Sequence, residues 1–182
     1  MSDFQRLIKT ITSIEEAIQK GAQNGLKQAG MRVMGTAKAK LGTYQPSVGE
    51  YPAWAKRKPQ TVKRKYLSEK GNVKKAGKEY LKKYGSFEPS GTADDGPLVD
   101  TGALRRLITI DKSQLAQGNV YIGVAQKNVA TYGAAQEYGS AKRNIPPRPY
   151  LRPSIVENKE EIAEDIKNGI AEMMANFGQG GF

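Results

Sequence analysis

The residues most suggestive of catalysis are an Asp-Thr-Gly sequence, Asp100, Thr101 and Gly102, preceded by two apolar residues. An aspartic protease presents its catalytic carboxylate in this way, but two such aspartates must share one proton. Two arginines follow within six residues, and their charges would keep both aspartates ionised. The alternative is a turn in which Asp100 or Thr101 accepts a backbone N–H and Gly102 permits the bend. We predict the turn and no catalytic residue.

Other catalytic chemistry has little support in the composition. The chain has no Cys and no His, which removes thiolate chemistry, the commonest general base and the commonest metal ligand. Two adjacent acids, Asp94 and Asp95, lie in a Gly-containing stretch and are interpreted as part of a solvated loop. The sequence therefore predicts a protein that is not an enzyme and holds no cofactor or metal.

The charge is concentrated in one segment. The formal net charge is +11, and residues 56–84 carry twelve Lys or Arg against two acids, so the rest of the chain is nearly neutral. The sequence shows no apolar run long enough for a transmembrane helix and no apolar signal core at its start. We therefore expect a soluble chain with one strongly basic segment.

Two amphipathic helices are expected to carry the fold. Apolar residues spaced three or four apart predict a long helix over 13–41, with a capping box at Ser13 and Glu16, after a shorter helix. Its glycines require either compensating tertiary packing or close backbone contact. A second capping box, Ser154 with Glu157, is expected to start the C-terminal helix, and residues 177–182 are expected to be a loose tail.

Between these helices the sequence predicts an insertion and a small sheet. Residues 42–97 are rich in Gly, Pro, Tyr and Lys, which indicates an insertion with little core of its own. Period-two alternation over 104–112 and 118–126 predicts a β-hairpin, and a short helix should end at Gly139. The predicted fold is one α+β domain over 1–182, with a small, mostly antiparallel sheet packed by the long N-terminal and the C-terminal helix.

A proline-stiffened segment and the basic insertion supply candidate interface residues. Arg148, Tyr150 and Arg152 lie on the stiff segment, where ordering on docking costs little entropy, although core packing of the tyrosine and solvation of the arginines remain the alternative. Glu137 is a candidate ion partner of these arginines. The remaining candidates are Tyr138, Trp54, Lys63, Arg64, Lys65, Lys74 and Lys75.

Three stretches together resemble the tail-completion, or head-tail joining, family of tailed bacteriophages. They are Thr101–Arg105, Tyr132–Gly139 and Pro146–Pro153, and the resemblance covers residues 97–176. The family typically has Thr-Gly-x-Leu-Arg, then Tyr-Ala-x-x-x-Glu-x-Gly, then Pro-x-Arg-Pro-Phe-Leu-Arg-Pro leading into the last helix. Here Tyr150 stands in place of the usual Phe.

The resemblance implies a structural virion protein. Such proteins form a ring, usually sixfold, at the neck or tail end, which joins the head connector to the tail tube and lets DNA pass through its lumen. It also implies assembly in the host cytoplasm, contact with neighbouring connector and tail-tube proteins, no membrane partner, and a non-catalytic Asp-Thr-Gly turn.

The basic segment leaves a second function open. Residues 54–84 interleave lysines and arginines with Trp54 and three tyrosines, a pattern suited to binding phosphates and stacking on bases. Within a ring, we instead expect residues 56–84 to be an arm that is mobile in the free subunit. Such an arm would become ordered on assembly against acidic residues of another chain.

Overall fold

The computed structural model describes residues 2–179 of the chain. It has a long N-terminal helix, a C-terminal helix and a small two-stranded antiparallel sheet, which confirms the predicted α+β class. The elements are α1 (Asp3–Lys40), α2 (Pro59–Tyr66), α3 (Lys75–Tyr84), α4 (Ala103–Leu107), β1 (Ile108–Asp111), β2 (Tyr121–Val124), α5 (Lys127–Tyr138), α6 (Arg152–Glu157) and α7 (Lys159–Gln179).

The predicted hairpin and the helix after it are both present, but the first strand is shorter than predicted, because residues 104–107 belong to α4. Strands β1 and β2 pair, and a short 3₁₀ turn at Leu115–Gln117 lies in the connection between them. Helix α5 ends at Tyr138, and Gly139 follows with a φ of +78°, as its position after the helix led us to expect. The expected tail at 177–182 overlaps the end of α7, and its last three residues lie outside the described residues.

Helix α1 is continuous, and the predicted break before residue 13 is wrong. The Ser13 hydroxyl donates to the carbonyl of Lys9 at 2.8 Å, so it bonds within the helix instead of capping one. The reciprocal capping contacts occur at Ser2 and Gln5 instead. The Gln5 amide donates to Ser2 Oγ, and the Ser2 amide donates to Gln5 Oε1.

Contacts within the chain group the residues into two compact units. The first comprises residues 1–35, 109–123 and 154–182, and the second comprises residues 36–108 and 124–153. The expected insertion at 42–97 therefore belongs entirely to the second unit.

In the first unit, glycines allow α1 and α7 to touch through their backbones. A Cβ placed on Gly21 would come 2.6 Å from the carbonyl oxygen of Gly169, and one on Gly25 would collide with the carbonyl oxygen of Asp165. Gly169 meets α1 in the same way from the other side. Of the two explanations that the sequence left open for these glycines, close backbone contact applies here.

A bidentate ion pair joins the same two helices. Arg32 donates from Nε and Nη2 to the two carboxylate oxygens of Asp165, at 2.8 and 2.7 Å. This hydrogen bonding, together with the charge of Arg32, holds the pKa of Asp165 below its usual value.

The C-terminal helical region is divided at Asn158. Helix α6 begins at Arg152, so Ser154 lies inside it, and the predicted helix start with a capping box at Ser154 and Glu157 is wrong. Asn158 donates from its side chain to the carbonyl of Ser154, and its own carbonyl accepts from the amide of Ile162 in α7. None of the helices within residues 2–179 is long and apolar enough to cross a membrane.

The second unit contains a core that the sequence did not predict. Val62 and Tyr66 of α2 pack with Tyr80 of α3, and Tyr84 and Phe87 lie against this cluster. The rings of Tyr66 and Tyr80 are 4.8 Å apart between centroids. The expectation that the insertion has little core of its own is therefore wrong, because its tyrosines supply the apolar area.

Candidate functional site

The proline-stiffened segment is held by one buried carboxylate. Glu137 is 2% exposed and accepts hydrogen bonds from the backbone amides of Tyr150, Leu151 and Arg152 at 2.6, 2.9 and 3.1 Å. Its side chain also accepts from Arg152 Nε at 3.0 Å, which is the ion pair suggested by the sequence. The Glu137 carboxylate therefore provides the hydrogen-bond acceptors for backbone amides at the start of α6, which have no partner within the helix.

Arg152 is also held between two aromatic rings. Its guanidinium carbon lies 4.4 Å from the ring centroid of Tyr138 and 5.0 Å from that of Tyr51. Tyr138 is 66% exposed, so its ring presents one face to Arg152 while much of it stays accessible. Tyr138 of α5 and Arg152 of the proline-stiffened segment are the two interface candidates of this region that keep accessible surface.

Three other interface candidates are buried within the chain. Tyr150 is 1% exposed, and Trp54 is 6% exposed with its indole N–H donating to the carbonyl of Pro149 at 2.9 Å. Arg148 is 7% exposed and donates to the carbonyls of Ala55 and Lys56. These side chains fasten the segments around residues 54 and 149 to each other, so they are not the exposed anchors that the sequence suggested.

The basic side chains of the insertion divide into two groups. Lys65 donates to the carbonyl of Asp94 at 2.9 Å, and Lys83 pairs with the Asp94 carboxylate at 2.8 Å. The hydrogen bond that Asp94 accepts from Lys83, followed by the one that it accepts from Tyr84, lowers the pKa of Asp94. The candidates with exposed side chains are Lys63, Arg64, Lys74 and Lys75.

Asp95 is the buried centre of this part of the unit, and its interpretation as a loop acid is wrong. It is fully buried and accepts from the hydroxyls of Tyr44 and Tyr80 at 2.9 and 2.8 Å. It also accepts from the amide and hydroxyl of Ser90 and from the amide of Gly91. Burial alone would raise the pKa of Asp95, but the hydrogen bonds outweigh it and the pKa lies below its ordinary value.

The Asp95 carboxylate also affects the pKa of Tyr44. Burial, partly offset by the amide of Arg57 donating to its hydroxyl oxygen, raises the pKa of Tyr44 to about 12, and the bond to Asp95 adds to the rise. The tyrosine therefore stays a neutral donor at physiological pH, as a hydrogen bond to a carboxylate requires.

The Asp-Thr-Gly residues form a turn that leads into α4. Thr101 Oγ1 accepts from the amide of Ala103 at 3.3 Å, and Gly102 has a φ of +75°. Leu104 is 3% exposed and anchors the helix, whereas Asp100 is exposed. Thr101 therefore closes a local turn through its hydroxyl, and Gly102 is the N-cap residue of α4.

An exposed apolar face was not anticipated from the sequence. In the first turns of α1, Phe4, Leu7, Ile8 and Ile11 are 70%, 55%, 50% and 56% exposed. They recur at the helical spacing that places side chains on one face. Ile18, which is 42% exposed, continues the row, and we call these five residues the α1 apolar face.

Comparison of the chain with protein-family models, with curated proteins and with solved structures gave no significant match. Within residues 2–179, no group of three or more Asp, Glu, His or Cys side chains is arranged to hold a metal ion.

Proposed function

We propose that this chain is a structural protein of a tailed-phage particle. It assembles into a sixfold ring at the neck or tail end and joins the head connector to the tail tube. Proposed partners are copies of itself and the adjoining connector and tail-tube proteins, with DNA passing through the lumen. The proposal rests on the motif series at 101–105, 132–139 and 146–153 and on the contacts that these motifs make.

The observation that carries the proposal is a pair of departures from the family pattern that compensate each other. The chain has Gly133 where the pattern has Ala, and Tyr150 where it has Phe. A Cβ on Gly133 would lie 2.7 Å from the Tyr150 hydroxyl oxygen. The additional oxygen of the tyrosine thus fills the space that an alanine methyl group would occupy, as expected for two positions of one shared framework.

The three motifs also contact one another. A Cβ at Gly133 would lie 3.1 Å from Leu104 Cδ1, and Glu137 binds the amides that lead into α6. Residues from all three stretches therefore build one packed region of the second unit. This explains in physical terms why the motifs would occur together in a family.

The α1 apolar face supports an assembling protein. Contiguous apolar area left exposed on a helix commonly marks a protein–protein interface. The face belongs to the first unit, and among the described residues nothing covers Phe4, Leu7, Ile8 or Ile11 sufficiently to bury them. We assign this face to contacts between subunits.

The nucleic-acid alternative is weakened by the positions of the aromatic rings. Base stacking needs accessible ring faces, but Trp54, Tyr66 and Tyr80 are 6%, 7% and 3% exposed. Tyr84 is half-buried, and its hydroxyl donates to Asp94 at 2.6 Å. The lysines remain available for phosphate contacts, without the stacking that the hypothesis required.

The proposal is tested by measuring the mass of the assembled protein and by imaging it. Native mass spectrometry over a concentration series, with electron microscopy of the same samples, should show closed rings with a central opening. In purified particles, labelled antibody against the chain should locate it at the neck or tail end. A protein that stays monomeric in solution and in particles contradicts the proposal.

A pair of variants tests the assembly surface. Replacing Ile8 and Ile11 with Ser should shift the equilibrium towards smaller species, because it removes exposed apolar area without disturbing the core. Glu16→Ser, an exposed change on the same helix, serves as the control and should leave ring formation unchanged. Equal effects of the two changes would exclude the α1 apolar face as the contact surface.

A further inference from the structure

A cleft in the second unit is lined by an excess of positive charge. Its volume is about 650 Å³, and its walls come from the start of α2, the Asp-Thr-Gly turn with α4, the first turns of α5, and the segment before residue 148. Asp100 is the single carboxylate among its described lining residues. The basic lining residues are Lys56, Arg57, Lys58, Arg64, Arg143 and Arg148.

Two of these arginines have only neutral partners. Arg148 donates to the carbonyls of Ala55 and Lys56 and to the side-chain oxygen of Gln136. Arg57 donates from Nη1 to two backbone carbonyls, those of Asp95 at 2.7 Å and Gly96 at 2.9 Å. These hydrogen bonds go to neutral oxygens, and neither arginine forms an ion pair with a described carboxylate.

The absence of a counter-charge costs the most free energy at Arg148, because this side chain is only 7% exposed. Burial lowers the pKa of Arg148, and the neighbouring charge of Arg57 lowers it further, although two tyrosines act in the opposite sense. A buried cation without a counter-charge is costly, and an anion brought into the cleft would reduce that cost. The second unit therefore contains a preformed attraction for negative charge.

Several of the basic lining residues are exposed to solvent and so accessible to a ligand. Lys58, Arg64 and Arg143 are exposed, and none of them forms an ion pair with a described carboxylate. A concave surface lined by one sign of charge focuses its field and raises the local concentration of oppositely charged ligands.

The uncharged lining residues of the cleft distinguish between anionic ligands. They include four apolar side chains, Leu98, Leu104, Val129 and Ile145, and one aromatic ring, Tyr132. A single nucleic-acid strand is bound by successive aromatic platforms, and a duplex presents a convex rod of phosphates. Acidic residues around an apolar side chain fit both the basic and the apolar residues of this lining.

We propose that this cleft binds an acidic peptide segment of a partner protein, with carboxylates on the arginines and an apolar side chain against the apolar lining residues. The inference does not depend on the proposed virion function, because it rests on the cleft alone.

A fluorescein-labelled Glu-Glu-Leu-Glu-Glu peptide tests the proposal by fluorescence anisotropy with the full chain at low salt. Replacing Lys58, Arg64 and Arg143 with Gln should weaken binding by about tenfold or more, since these cations face the ligand. The matched control replaces Lys63, Lys70 and Lys78 with Gln; these lysines are exposed and lie outside the cleft. This control should weaken peptide binding by less than about threefold. Melting temperatures of both triple variants establish that they are folded.

The substitution Asp100→Asn should change peptide affinity in the opposite direction to the cleft variant. Because it removes the single carboxylate of the described lining, it should tighten peptide binding by about two- to fivefold. Absence of saturable binding, equal losses in the two triple variants, or unchanged affinity on Asp100→Asn would each overturn the proposal. Tighter binding of an oligothymidylate than of the peptide, lost in the cleft variant, would assign the cleft to nucleic acid instead.

Discussion

At the scale of single residues, two carboxylates organise the second unit. Glu137 collects three backbone amides at the start of α6, and Asp95 collects donors from Tyr44, Tyr80, Ser90 and Gly91. The sequence suggested Glu137 as an ion partner of the arginines on the proline-stiffened segment. It gave no comparable signal for Asp95, whose tyrosine partners lie 51 and 15 residues away.

Asp95→Asn should destabilise the protein by about 2 kcal/mol or more. The amide has the shape of the carboxylate, but its NH₂ group faces donors and leaves buried hydroxyls without an acceptor. Chemical denaturation of the two proteins provides the measurement. Asp100→Asn, an exposed change in the same unit, is the control and should stay within about 0.5 kcal/mol.

The contribution of Asp95 to stability should depend on pH. Its pKa in the folded chain lies below the ordinary value of about 3.9, so the unfolded chain takes up the proton first as pH falls. The stabilisation is complete above that ordinary value and is lost as pH falls through the folded pKa. The difference in unfolding free energy between wild type and Asp95→Asn should therefore shrink on acidification, and a constant difference would contradict this assignment.

The contact between Gly133 and Tyr150 predicts a coupling. Gly133→Ala should cost about 1–3 kcal/mol because its methyl group meets the tyrosine hydroxyl. In a Tyr150→Phe background the same change should cost at least about 1 kcal/mol less, since the clash is gone. Thermal denaturation of the four proteins of this cycle measures the coupling, and strict additivity would show that the two positions do not compensate.

At the scale of elements, periodicity predicted the existence of the helices better than their ends. The spacing of apolar residues predicted a long N-terminal helix, but Ser13 and Ser154 fit the capping-box pattern while lying inside helices. The pattern of a Ser three residues before Glu or Gln also occurs at Ser2 and Gln5, where the cap forms. Local sequence does not decide among such sites, because tertiary packing determines which helical turns continue.

Replacing two glycines of α1 with alanine should change the stability of the protein in opposite directions. Gly25→Ala places a methyl group against the backbone of α7 and should destabilise the protein by about 1–3 kcal/mol. A methyl group at Gly35 would have nothing within 4 Å of it, so Gly35→Ala should stabilise the helix by about 0.5–1 kcal/mol. Melting temperatures of the two variants provide the comparison. Destabilisation of equal size would mean that backbone contact is not what distinguishes the two sites.

At the scale of the whole molecule, the charge of the chain is partly balanced where it is densest. Composition predicted that residues 56–84 repel themselves and need an acidic neighbour in another chain. Asp94 of the same chain pairs with Lys83 and accepts from Lys65 through its carbonyl, while the tyrosines pack together. The sequence did not reveal this because the acids lie outside the basic segment and resemble a turn. Exposed lysines still remain for a partner.

Residues 59–84 should consequently be ordered in a dilute monomer. Amides of α2 and α3 are expected to exchange with solvent at least about tenfold more slowly than in an unstructured peptide, because the tyrosine cluster holds both helices. Asp95→Asn should release this protection while leaving that of α7 intact, since Asp95 bonds to Tyr80 in α3. Glu88→Gln, an exposed change just after α3, is the control. Hydrogen exchange followed by mass spectrometry resolves these regions. Free exchange of residues 59–84 in the wild-type monomer, with α7 protected, would instead favour an arm that folds only on assembly.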